Sequence, residues 1–221
     1  MIRDILVQFQ APMQNPPVFV YGNSAAFSTA TGSVSLSSTQ AGDYVLAVIS
    51  STSAAIQVPA GYQLISSSSQ TADSIVVYAA VIGRRLTVPV TSLQVTQGGT
   101  ASVTAQVFRG VSASEPIGIP PVYSGSFKLP DSPETPVPVP NSIVVSLCAV
   151  RGDPSKMTAG PDGYTNMNYG VIPVSGYRLI SCAASAVKTS GPENPGTWHG
   201  GSVVSPATVR SVAFTVVLNP E

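Results

Sequence analysis

One tetrapeptide occurs twice in this chain, Pro59-Ala60-Gly61-Tyr62 and Pro161-Asp162-Gly163-Tyr164, and the segments around it recur in the same order. Proline sets φ near −65° and glycine tolerates positive φ, so Pro-x-Gly-Tyr specifies a tight turn that drops an aromatic ring onto the end of a sheet. Ahead of each copy stands a strand-forming run, GDYVLAV at 42–48 and NSIVVSL at 141–147. Behind each comes an apolar run, 75–82 or 177–186, then a closing run, 101–109 or 210–218. Upstream, Thr31-Gly32-Ser33 is echoed by Ser124-Gly125-Ser126. The period is far longer than the roughly 20 to 50 residues of a solenoid repeat, which points to a duplicated β unit.

The runs between turns are short and rich in Val and Ile, each bounded by Gly, Pro, Asn or Asp. With 19 Gly and 20 Pro the chain is too interrupted for helices. In 101–109, Val103, Ala105 and Val107 share one face and Thr104, Gln106 and Phe108 the other, the pattern of a half-buried strand. Residues 46–49 and 75–81 are more continuously apolar, as in central strands covered on both faces.

The expected fold is therefore all-β, a jelly-roll-like two-sheet β-sandwich with internal duplication. Its halves are 18–118 and 119–221, joined by a proline-rich crossover at about 119–140 in which Pro130, Pro133, Pro136, Pro138 and Pro140 favour extended chain. Residues 1–17 stand apart as an extended arm, since Ala11 to Pro17 cannot continue a central strand. Ile5, Val7 and Phe9 alternate within it. Two readings are open: an assembly arm that pairs with a neighbouring subunit's sheet edge, or the first strand of the chain's own sandwich.

Charge narrows the functional classes. Charged residues make up only 9%, against about 25% in ordinary soluble domains, and ten basic residues balance ten acidic ones. The longest basic run is Arg84-Arg85, so the field needed to attract phosphate is missing and nucleic acid is not an expected partner. Zero net charge gives no colloidal repulsion, which suits a subunit of an assembly, and a homo-oligomer is expected. No apolar run approaches 18 residues and the N-terminus lacks signal-peptide character, so neither membrane nor secretion is expected.

Chemistry-bearing residues are sparse. The single histidine, His199, sits in a loop-like stretch, and Cys148 and Cys182 make no CxxC pair, so no metal, cofactor or catalytic residue is assigned. The cysteines read as buried free thiols, with a cross-strand disulfide as the alternative. Gly22-Asn23-Ser24-Ala25-Ala26 resembles a nucleophile elbow only distantly, lacks the following helix, and reads as a turn. Arg151-Gly152-Asp153, a tripeptide familiar from cell adhesion, is expected at a turn by chance. Among aromatics, Tyr62 and Tyr164 belong to the repeated turns, leaving Tyr169 and Trp198 as candidate ligand contacts.

The succession GDYVLAVIS, VPAGYQLI, DSIVVYAAVIG, VTAQVFRGV, YSGS, NSIVVSLCAV and GPDGYTN resembles small virion structural proteins of tailed bacteriophages, over about residues 18–219. Members of that group often carry Trp where this chain has Tyr62 and Tyr164, and the arm is not part of the shared pattern. The resemblance implies a non-enzymatic particle component located in the virion and made in the host cytoplasm. A capsid decoration (cement) protein comes first and a tail or baseplate component second, with other capsid or tail subunits as partners. A carbohydrate-binding or adhesive β-sandwich module is the competing class.

Overall fold

A computed structural model describes residues 15–72, 75–126, 129–137, 139–152, 157–189, 191–200 and 209–221. None of these is helical. The first half supplies β1 (Val18–Phe27), β2 (Thr31–Ser35), β3 (Tyr44–Ser51), β4 (Ile56–Gln57), β5 (Gln63–Ala72), β6 (Ile75–Arg85), β7 (Ser92–Gln97) and β8 (Ala101–Arg109). The second supplies β9 (Val122–Ser126), β10 (Asp131–Ser132), β11 (Thr135–Val137), β12 (Ser142–Gly152), β13 (Met157–Ala159), β14 (Thr165–Val174), β15 (Tyr177–Lys188), β16 (Gly191–Glu193), β17 (Gly196–Thr197), β18 (His199–Gly200) and β19 (Arg210–Leu218).

Each half builds its own five-stranded antiparallel sheet, β1-β8-β3-β6-β5 in the first and β14-β15-β12-β19-β9 in the second. Read from its β9 edge, the second has the order of the first, strand for equivalent strand. The register agrees as well. Gly42 and Asn141, which precede the central strands, both have positive φ, and two residues later Tyr44 pairs with Phe108 as Ile143 pairs with Leu218.

Period-2 alternation then gives each central strand two buried faces. Leu46 and Val48 point toward the other half, where they join Val145, Leu147, Phe214 and Val216 in one shared core. Val45, Ala47 and Ile49 point away, into a core closed by the small outer sheet β2-β7-β4. In the second half, Val144, Cys148 and Val150 face the corresponding outer core, covered by the paired segments β10-β17, β11-β16 and β13-β18 and filled by Trp198. The result is four layers, the two large sheets inside and the small ones outside.

The large sheets pack reciprocally. β1 and β8 lie against β14 and β15, while β5 and β6 lie against β9 and β19, the arrangement a two-fold axis through the β3–β12 contact would produce.

The fold is all-β as expected, but it is not a two-sheet jelly roll: there are four layers, and β5 pairs with β6 on the large sheet instead of extending the small one. Three local expectations also change. The segment 119–140 is no bare crossover, because β9 forms an edge of the second large sheet and β10 and β11 pair with β17 and β16. Gly22 to Ala26 is strand within β1, paired with β8, not a turn.

The third change concerns β8, which is buried on both faces rather than one. Its polar face packs on the second half. The Thr104 hydroxyl lies 2.8 Å from the Ser181 hydroxyl, Ser102 Oγ lies 2.9 Å from the same atom, and Gln106 Nε2 donates to the Asn166 carbonyl at 2.7 Å. The halves approach closely at this seam, where a Cβ on Gly22 would overlap the Asn168 amide.

Because Phe214 is fully buried in the core shared by both halves, Phe214→Ala should cost about 3–5 kcal/mol in urea unfolding. The transition should move as one step for both halves, and two separated transitions in the wild type would contradict the shared core.

Candidate functional site

The repeated turns are built alike. Tyr62 N–H donates to the Pro59 carbonyl and Tyr164 N–H to that of Pro161, each at 3.0 Å. Gly61 and Gly163 occupy the third turn position at φ +79° and +78°, as a type II turn requires. Tyr62 packs on the first outer core with the Arg84 guanidinium 5.6 Å from its ring centroid. Tyr164 is buried in the second, its hydroxyl donating to Glu193 Oε1 at 3.1 Å. Lys188 Nζ lies 5.0 Å from the Tyr164 ring centroid and 2.7 Å from Glu193. In both halves the turn thus sets its tyrosine against an outer core.

Trp198 is not a ligand contact. It is fully buried, its indole N–H donating to Ser132 Oγ at 3.2 Å, because the second outer core lacks a continuous covering sheet and a large side chain fills it. Tyr169 is 38% exposed on the edge strand β14. Ile5, Val7 and Phe9 lie outside the described residues, as does Asp153. Arg151 is turned inward, donating to the Val76 carbonyl of the other half at 2.9 Å.

The acids that are described lie apart. Asp43 is buried and accepts from Arg109 Nε at 2.8 Å, Arg109 Nη2 at 3.0 Å and Gln40 N–H at 2.8 Å. Asp131 accepts from Thr197 at 3.0 Å, and Asp162 meets His199 at 3.1 Å on the surface. Among the described residues no three His, Cys, Asp or Glu side chains group to hold a metal. Cys148 and Cys182 stand directly opposite each other on β12 and β15, free and buried. Burial, reinforced by the neighbouring thiol, pushes the Cys148 thiol well up.

Sequence reading missed the Asp43–Arg109 pair. Its signal was available in the Asp that opens GDYVLAV and the Arg that closes VTAQVFRG, at the paired ends of adjoining strands. It also missed a polar groove of about 410 Å³ bordered by Gln57, Tyr62, Arg84, Gln94 and Thr96, whose members come from four separate segments. Comparison with models of protein families, with curated proteins and with solved structures finds no match.

Burial raises the phenols of Tyr44 and Tyr62 to about 12, with Arg85 and Arg84 respectively opposing the shift, and raises Tyr164 further. The folded state therefore favours the neutral phenols. That contribution is complete below the unfolded value near 10 and is lost as pH rises through about 12. Absorbance titration at 295 nm should leave these three of the eight tyrosines un-ionised at pH 11, and reversible ionisation of all of them near pH 10 would contradict the packing. The turn itself can be tested at Gly163, where nothing lies within 4 Å of the place a Cβ would take, so that Gly163→Ala probes φ alone. It should cost about 1–2 kcal/mol in thermal or urea unfolding, and Gly163→Asn less.

Proposed function

We propose that this chain is a non-enzymatic structural component of a tailed-phage particle, in first place a capsid decoration protein. The observation that carries the reading is the use made of the functional-group inventory. The polar side chains described above serve to fasten the fold: Asp43–Arg109 ties β3 to β8 within one sheet, Arg151 and Gln106 tie one half to the other, and Tyr164, Lys188 and Glu193 close an outer core. A stack of sheets with few charged residues, zero net charge and strand edges at β1, β5, β9 and β14 suits static contact with other subunits. The resemblance to virion proteins supplies the particle.

A second reading has its own observation. The groove beside Tyr62 offers the Arg84 guanidinium, the amides of Gln57 and Gln94 and the hydroxyl of Thr96 around an aromatic ring, a combination that suits a sugar.

Mass spectrometry of purified particles should find the chain, and immunogold labelling should place it on the shell. Label confined to the tail would move it to the tail or baseplate, and absence from particles would overturn the reading. Glycan-array binding that Arg84→Ala abolishes would establish the second reading in its place.

A further inference from the structure

The small outer sheet of the first half ends at β4, which pairs only Ile56 with Gln97 and Gln57 with Thr96. Beyond that edge Leu64, Ser67 and Ser69 of β5 are exposed, while Ala80 of β6 lies buried on the floor beside them. Between β4 and these strands opens a groove of about 300 Å³, walled by Ala54, Ile56 and Val58 on one side and by Leu64, Tyr78 and Ala80 on the other. Leu64 is 51% and Val58 37% exposed, so the groove has an apolar rim as well as an apolar floor. Its cause is the pairing of β5 with the large sheet, which leaves β4 an open edge where a fourth outer strand would lie. An edge strand beside an apolar groove is the arrangement used for strand addition, backbone pairing at the edge and alternate side chains in the groove.

We infer that this groove receives residues 2–10 of a second copy of the chain, with Ile5, Val7 and Phe9 directed over Leu64, Tyr78 and Ala80. The inference rests on the reading of the chain as an assembly subunit and names the surface and segment that join copies. Ile5, Val7 and Phe9 share one side of an extended segment, with Asp4, Gln8 and Gln10 and the apolar Leu6 on the other. Ala11-Pro12-Met13-Gln14, whose sequence does not suit a central strand, connects this segment to Asn15.

Reach selects the second copy over the chain's own groove. Pro16, Pro17 and Phe19 border Ile143 and Val187, on the face of the first large sheet turned toward the second half. The groove opens on the opposite face and at the opposite edge. Four strand spacings separate β1 from β5, about 19 Å, and the outer layer stands about 10 Å further out, whereas Gln10 to Asn15 spans at most about 18 Å of extended chain.

The test uses the full-length protein. A benzophenone amino acid replaces Phe9, isotopically light and heavy chains are mixed, and cross-links are mapped after irradiation. Light–heavy cross-links to Ile56–Val58, Leu64 or Tyr78 are expected. Cross-links confined to one chain, cross-links to the Val187 region, or none between copies would overturn the inference. In sedimentation velocity, Val7→Asp and Ser67→Arg should each weaken self-association at least tenfold; Ser67 is an exposed groove residue, and an unchanged melting temperature verifies the fold. Unchanged association in both variants would overturn it too. Presence of the wild-type chain in particles is measured separately. A particle-bound chain whose residue 9 cross-links elsewhere loses this docking surface and keeps its assembly role, whereas a chain absent from particles loses that role whatever its cross-links.

Discussion

The constraint on which the structure depends is the core shared by the two large sheets. Each half has one face covered by its own short outer strands, yet the opposite face carries Leu46, Val48, Val77 and Phe108 in one half and Val145, Leu147, Phe214 and Val216 in the other. A half standing alone would expose these apolar side chains to water. Packing the halves face to face removes both surfaces from water at once. The duplicated units are therefore two layered modules that complete one another, and the outer cores depend on the inner one because β3 and β12 lend opposite faces to each.

The reciprocity of that packing is geometric, not chemical. Where β19 presents Val212, Phe214 and Val216 to β5 and β6, the matching positions of β8 are Ser102, Thr104 and Gln106. One side of the inner layer is thus oily and the other hydrogen-bonded through Ser181 and Asn166. Buried hydroxyls and amides contribute little net stability when paired but are costly when unpaired. The polar seam therefore disfavours sliding or inverted packings of one half on the other, which apolar contacts alone would accept.

The same division between local and long-range chemistry decides which parts of the fold were legible in the sequence. The turn glycines, the strands on either side and the order of segments were readable because each rests on local chemistry: a positive φ at Gly61 or Gly163, a period of two, a proline that ends a run. The double burial of β8 was not. Thr104 and Gln106 look like a solvated face, and only the arrival of the second half covers them. Trp198 failed for the same reason, since a tryptophan between glycines in a polar stretch carries no local sign that it fills a core 66 residues from Ser132, its hydrogen-bond partner. The resemblance motifs behave consistently. GDYVLAV and VTAQVFRG are held in register by Asp43 and Arg109, so they mark how the strands are fastened and leave the role of the surface to other residues.

Duplication also left corresponding surfaces free to diverge. Ser67 and Tyr169 occupy equivalent positions, since Ser67 pairs with Ala80 beside Ile49 and Tyr169 with Cys182 beside Cys148. Both are exposed on an edge strand of a large sheet, β5 in one half and β14 in the other. The first half keeps small hydroxyls along this strip, which leaves the groove open. The second carries Tyr169 and Val171, each 38% exposed, which raise the strip into an apolar ridge. A copied module has thereby acquired two different edges, one concave and one convex. The two edges therefore present different surfaces even though the fold behind them repeats.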